Sequence, residues 1–333
     1  MSSSPCAVDL EDRHPSEDVI LADVCAGLRL TPKRLSSRYF YDARGSALFE
    51  RICEQPEYYL TRAELALMEE HAADIAKVVG SEALVVEYGS GSGLKTRLLL
   101  ANLDAPVAYV PVEISRAALT ESVAALTPEF PRIEMLPVCA DFTEHFVLPE
   151  PHRLPRRALV YFPGSTIGNF ATRDALSLLR EMREEMGGNG AALIGADLRK
   201  DVAVMEAAYN DAAGVTAEFT LNMLVRFNRE LGADFDVPQF RHQARYNPMA
   251  CRIETHLVSR RAQNVRVGGE QFDFAADEPI LVEYSCKYST DDFSRMAERA
   301  GLRVERVWTD AGQQFALYYL TCETARTVSS GDR

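Results

Sequence analysis

Between Ala83 and Ala196 the chain repeats one pattern five times: a short apolar run, then a loop carrying a glycine, an acid or an amide. The runs are Ala83–Glu87, Val107–Val112, Ile133–Cys139, Ala158–Phe162 and Ala191–Ala196. Helical patterns begin near Lys95, at Ser115 (to about Leu126) and over Thr172–Met186. Such alternation predicts an α/β fold: a parallel sheet with helices on both faces. In open sheets of this kind ligands bind at the carboxyl ends of the strands. Those ends carry Gly89-Ser-Gly91-Ser-Gly93, Glu113, Asp141-Phe142 and Gly164-Ser-Thr-Ile-Gly-Asn169.

The rhythm breaks after Asp197. Asp201–Asn210 and Val215–Leu231 read as helices, and 245–267, 272–274 and 280–288 as antiparallel strands. A helix over Asp291–Ala300 and strands over Leu302–Trp308 and Phe315–Leu320 then complete the first sheet. The expected organisation is a flexible tail at 1–15 and a sheet domain of 61–200 plus 286–322. Residues 16–60 plus 201–285 form a second α+β lobe, and a ligand cleft lies between the two. Upstream, Thr61-Arg-Ala-Glu64 reads as a capping box opening a helix to about Val79. The end beyond Thr324 is expected to be disordered.

Composition narrows the function. Asp and Glu total 49 against 36 Lys and Arg, a formal charge of −13, with no basic stripe. Nucleic acid and anionic membrane are therefore poor partners. No apolar run reaches the ~20 residues of a membrane span. The polar start lacks a secretory signal. Seven cysteines stand singly and the six histidines form no metal pair. A reducing cytoplasm, a monomer and no metal are the expectation.

The glycine turn is not G-x-G-x-x-G, because Leu94 stands where a third dinucleotide glycine belongs. That weakens a nicotinamide oxidoreductase. Ser165 has no G-x-S-x-G setting, which argues against a hydrolase. Glu113, about twenty residues on, suits a ribose diol, and Asp141 suits a base amino group. Each acid alone also reads as a solvated strand end. Glycine turn, ribose acid and base acid in successive units resemble a class I S-adenosylmethionine-dependent methyltransferase with a Rossmann-like sheet. Asn169 either caps a turn or grips an amino-acid carboxylate or amine. Glu283, Ser285 and Lys287 share a strand face, as a solvated face or as an imidazole site.

Taken together, several segments resemble the L-histidine Nα-methyltransferase family of ergothioneine biosynthesis. They are Phe40-Tyr-Asp-Ala-Arg-Gly-Ser46, Pro56-Glu-Tyr-Tyr59, Gly89-Ser-Gly91 with Lys95-Thr-Arg97, Gly164–Asn169, Tyr209-Asn-Asp-Ala-Ala-Gly-Val-Thr216, Arg252-Ile-Glu254 and Glu283-Tyr-Ser-Cys-Lys287. The resemblance runs from about residue 35 to 320. It implies trimethylation of histidine to hercynine with S-adenosyl-L-methionine as cofactor and a free amino acid as substrate.

By that resemblance Gly89, Gly91, Lys95, Glu113, Asp141 and Phe142 hold the cofactor. Gly164 and Asn169 lie beside the transferring methyl, and Asn169 and Tyr209 bind the substrate carboxylate. Tyr58 faces the α-amine, with Tyr59 as the alternative one residue along. Tyr41 and Phe49 line the imidazole side, and Glu283 and Ser285 hydrogen-bond the ring. Tyr58 and Asn169 are the expected catalytic pair, with Tyr58 orienting the amine rather than acting as a strong base. Two positions depart from the family pattern. Glu113 stands for Asp, and Thr255 stands for a pocket-wall Met, which brings in Nα-methylation of tryptophan or tyrosine as the second reading. A cofactor-binding protein without activity is the reading from another class.

Overall fold

The computed structural model describes residues 11–12, 16–91, 93–144 and 146–322. Most of the expected 1–15 tail, and the end beyond Thr324, lie outside the described residues. Glu11–Asp12 is described, and it is not loose: it forms a strand, β1, that pairs in parallel with Val138–Cys139.

Helices α1 (Glu17–Arg29), α2 (Ala43–Cys53) and α3 (Tyr59–Val79) come first. The alternation follows as β2 (Ala83–Tyr88), α4 (Leu94–Asn102), β3 (Ala108–Glu113), α5 (Arg116–Glu129), β4 (Glu134–Met135), β5 (Val138–Cys139), β6 (Arg157–Phe162), α6 (Thr172–Met186) and β7 (Ala191–Asp197). Next come α7 (Val202–Ala207), α8 (Val215–Glu230), β8 (Phe240–Asn247), β9 (Arg252–Ser259), the hairpin β10 (Gln263–Val267) and β11 (Glu270–Phe274), and β12 (Pro279–Cys286). The described chain closes with α9 (Thr290–Arg299), β13 (Leu302–Thr309) and β14 (Phe315–Cys322).

The large sheet has the order β1-β5-β3-β2-β6-β7-β14-β13, with β4 also on β3. Strands β5, β3, β2, β6 and β7 run parallel, and β14 runs antiparallel between β7 and β13. Strands β2, β3 and β7 are buried along their whole length, so they read as unbroken apolar runs. Successive residues feed opposite cores, as the two-residue strand period requires. Val85, Tyr161 and Leu193 pack with Met68 and Ile75 of α3 and Leu99 of α4. Val86, Val160 and Ile194 pack with Leu179 of α6 and Phe293 of α9.

A second, antiparallel sheet has the order β12-β9-β8. Helices α2 and α8 lie with it, and Phe40 meets Phe219 of α8 at 4.8 Å between ring centroids. The chain leaving β12 runs straight onto the large sheet. Tyr288 donates its N–H to Asp197 O at 3.0 Å and accepts from Arg199 N at 2.9 Å. The loop after β6 also touches β12, and there Gly168 is required. A Cβ on it would stand 2.9 Å from Cys286 O and 3.2 Å from Cys286 N, both backbone.

Three local expectations are corrected. The strand expected over Ile133–Cys139 is two short pieces, because Pro137 between them has no N–H for the ladder. The helix expected from Thr61 begins at Tyr59, with Tyr58 at its cap and no side-chain capping bond. Glu64 is instead fully buried, against the cavity-lining Lys95 and Gly164. Finally, α2 went unread, although Asp42 caps it by accepting from Gly45 N at 2.7 Å.

Replacing Gly168 by Ala forces the loop off a backbone that cannot yield. We expect a loss of about 1–3 kcal/mol, typical of overpacking, read as a lower midpoint in chemical denaturation.

Candidate active site

A cavity of about 1150 Å³ opens between the carboxyl ends of β2, β3, β5 and β6 on one side and α2 and β12 on the other. It exceeds the ~300–1,000 Å³ usual for one small ligand, so it has room for a cofactor and a substrate together. Gly89, Gly91, Lys95, Glu113, Asp141, Phe142, Gly164, Tyr41, Phe49, Tyr58, Asn169 and Glu283 all line it.

At one end the β2 turn passes through left-handed backbone at Gly89 (φ 73°) and Gly91 (φ 49°), which glycine tolerates without strain. A Cβ on Gly91 would meet no atom within 4 Å, so a ligand can approach this backbone closely. Glu113 Oε2 accepts from Gly91 N at 3.3 Å and Oε1 from Ser115 N at 3.0 Å. Burial raises its pKa, and these backbone N–H groups work against that rise. Asp141 Oδ1 accepts from Thr143 N and Oγ1 at 2.9 and 2.6 Å. Its Oδ2 pairs with Arg38 at 2.9 Å. Phe142 stacks on Tyr88, with centroids 5.2 Å apart. Open glycine backbone, two strand-end carboxylates and an aromatic face fit an adenosyl group.

Behind the cavity-lining Lys95 and Gly164 lies Glu64. It forms an ion pair with Lys95, and its carboxylate accepts from Gly164 N at 2.9 and 3.1 Å. The carboxylate also lies where a Cβ on Gly195 would stand, 2.5 Å from it. Thus one buried acid fixes the lysine and the turn after β6.

The other end is aromatic. Tyr41, Phe49 and Tyr58 stand edge to face at 5.9 and 6.1 Å, and Tyr58 meets Tyr209 at 6.3 Å. Burial pushes the Tyr41 and Tyr58 phenols well above their usual pKa. Both therefore stay protonated and are donors. Asn169 ends a single helical turn, Thr166–Asn169, and reaches the cavity wall. Burial raises Glu283 to about 7, against the pull of Lys287 and a hydrogen bond from Thr255.

Tyr209, Ser285 and Thr255 lie behind this wall, each nearly fully buried. Thr255 is not at the pocket wall as expected. It pairs with Glu283 across β9 and β12, and its hydroxyl sits 3.5 Å from the Glu283 carboxylate. Tyr209 and Ser285, expected at opposite ends of the substrate, have hydroxyls only 2.6 Å apart. Lys287 joins them, donating to Tyr209 Oη at 2.9 Å and Ser285 Oγ at 2.8 Å. The same ammonium pairs with Asp197 at 2.6 Å. Tyr59, the alternative to Tyr58, points away from the cavity and donates to Asp197 at 2.9 Å.

Glu64, Asp197 and Arg38 were not found from sequence. Glu64 fitted a capping box, and Asp197 fitted an ordinary strand end. A buried Glu within an amphipathic helix was the available signal for the first. Among the described residues, no cluster of three or more His, Cys, Asp or Glu is placed to hold a metal. No helix among them is long and apolar enough to cross a membrane.

A family model described as a histidine-specific, S-adenosylmethionine-dependent methyltransferase matches residues 20–322. The chain is 41% identical over 307 residues to a histidine N-alpha-methyltransferase of Mycolicibacterium smegmatis, covering 90% of this chain and 94% of that one. It is 40% identical over 302 residues to a histidine N-alpha-methyltransferase of Mycobacterium tuberculosis, covering 89% and 92%. Ergothioneine biosynthesis protein 1 of Neurospora crassa is 31% identical over 307 residues, which is 87% of this chain and 33% of that longer protein.

Replacing Glu64 by Ala leaves the Gly164 N–H and the Lys95 ammonium without their buried acceptor. We expect a loss of about 2–3 kcal/mol from these groups, measured as a fall in unfolding free energy.

Proposed function

This chain belongs to the histidine-specific, S-adenosylmethionine-dependent methyltransferase family, and on that premise we propose that it converts free L-histidine to its Nα-trimethyl betaine, hercynine. The observation that carries the substrate is Glu283. It is a carboxylate on the wall of an aromatic-lined cavity, placed to accept an imidazole N–H. Tyr41 and Phe49 supply the flat apolar surface beside it. Asn169 and Tyr209 are assigned to the carboxylate, and Tyr58 to the α-amine. We assign Gly89, Gly91, Lys95, Glu113, Asp141 and Phe142 to the cofactor. Residues 16–60 plus 201–285 act as the substrate-binding part, and 61–200 plus 286–322 as the methyltransferase body.

S-adenosylmethionine supplies an electrophilic sulfonium methyl for in-line displacement. The chain's own residues contribute orientation. The attacking amine must be unprotonated. Tyr58 is held as a neutral phenol, so it orients the amine and takes no proton from it. The amine proton leaves to water. Repeated transfer needs grip at the carboxylate and the ring while the amine end stays roomy, and a cavity of about 1150 Å³ has the volume for it.

Methylation of a larger aromatic amino acid is the weaker reading. Its motive was extra room at Thr255, but that side chain is 1% exposed and sits against Glu283 rather than beside the ligand space.

Two outcomes test the assignment. Glu283→Ala should weaken histidine binding by ~2–3 kcal/mol, the worth of a desolvated charge-assisted bond, with cofactor affinity kept. Calorimetry with histidine checks it, and unchanged affinity removes Glu283 from the ring site. Tyr58→Phe should lower kcat/KM while the ascending limb of its pH profile, set by the amine, stays in place. Disappearance of that limb would make Tyr58 the base.

A further inference from the structure

The cluster behind the wall has a hydrogen count that the assigned roles do not explain. Lys287 is fully buried, and its ammonium has three N–H groups. One goes to Asp197 Oδ2 at 2.6 Å, one to Tyr209 Oη at 2.9 Å and one to Ser285 Oγ at 2.8 Å. Both hydroxyl oxygens accept from the lysine, so neither hydroxyl hydrogen can point at it. The two hydroxyls are 2.6 Å apart, and one donates to the other. One O–H remains, and no described residue accepts it.

The charge beside that O–H is positive. Burial alone would lower the Lys287 pKa, but Asp197 and Tyr209 hold it above its usual value. Asp197 is also shared with Lys200 at 2.5 Å and Tyr59. One carboxylate thus faces two ammonium groups. Glu283 lies two residues before Ser285 on β12, and its acid group accepts from Thr255 on the neighbouring strand β9. A hydroxyl donor backed by a desolvated ammonium suits an anionic acceptor.

We infer that Lys287, anchored on Asp197, is a positioning residue that directs the spare hydroxyl of the Tyr209–Ser285 pair, reached past the cavity-lining Tyr58 on which Tyr209 packs, toward the substrate's carboxylate and supplies the charge that makes that carboxylate obligatory. This rests on the amino-acid reading of the site proposed above. The same anchor reaches the methyl-transfer side, because Ser165 Oγ accepts from Asp197 N at 2.9 Å. Lys287 therefore ties the carboxylate grip to the loop that carries Gly164 and Asn169.

The test compares histidine with histamine, which has the ring and the amine but no carboxylate. Dissociation constants are measured for both on wild type and Lys287→Met. Melting temperature and S-adenosylhomocysteine affinity serve as controls for the fold. Lys200 and Tyr59 still hold Asp197 in the variant, so its carboxylate is not left alone. The paired variant Asp197→Asn/Lys287→Met repeats the comparison if the single one is unstable. The expected result is at least a tenfold weaker histidine complex with histamine changed less than twofold, so that discrimination between them collapses. Equal weakening of both ligands, or no change in either, would overturn the assignment of Lys287. Failure of wild type to bind histidine at all would overturn the substrate reading itself, and with it this one.

Discussion

The ion pair between Asp197 and Lys287 is a buried link between the two sheets. Asp197 ends β7 of the large sheet, and Lys287 follows β12 of the small one. Both side chains are fully buried and 2.6 Å apart. A buried pair gives little net stability, yet breaking one side is costly. Its effect is therefore on geometry. It joins the end of β7 to the segment after β12 and sets the direction in which the Tyr209 and Ser285 hydroxyls accept. Tyr59, Lys200 and Ser165 around it leave few donors or acceptors free to rearrange. Gly168 makes a second contact of the same kind, backbone against backbone, at Cys286.

What this junction encloses is one continuous cavity rather than two pockets. Its two ends differ in chemistry. Strand-end carboxylates and left-handed glycine backbone lie at one, phenols and a carboxylate of raised pKa at the other. Methyl transfer asks little of a protein in acid–base terms and much in alignment. The side chains match that demand. Tyr58 and Tyr41 are held as neutral donors, and Glu64 pins both Lys95 and the turn after β6. Methyl transfer to a free amine requires no strong base of the protein.

Much of this was legible in the sequence because strand ends in a parallel sheet follow from local pattern. Gly89, Glu113, Asp141 and Asn169 fell at the right edge once the five runs were found. The helix and two strands after Asp291 were expected to complete the first sheet, and β13 and β14 do so. Pairings between distant segments were not legible. Glu64 satisfies a capping pattern, and although it stands on the apolar stripe of α3, its partners Lys95 and Gly164 come only from tertiary contact. The two-residue period put Ser285 and Lys287 on one face, but it could not bring Tyr209 to within 2.6 Å of Ser285. Thr255 looked like a wall residue by likeness of motif. Cross-strand register sets it beneath Glu283 instead, where it modifies that acid without touching the space.

The most direct measurement is mass spectrometry of the purified enzyme turning over with S-adenosylmethionine and an equimolar mixture of free amino acids. The account predicts that histidine alone gains methyl groups, up to three, all on its α-nitrogen. Methylation of another amino acid in place of histidine, or of none, would contradict it.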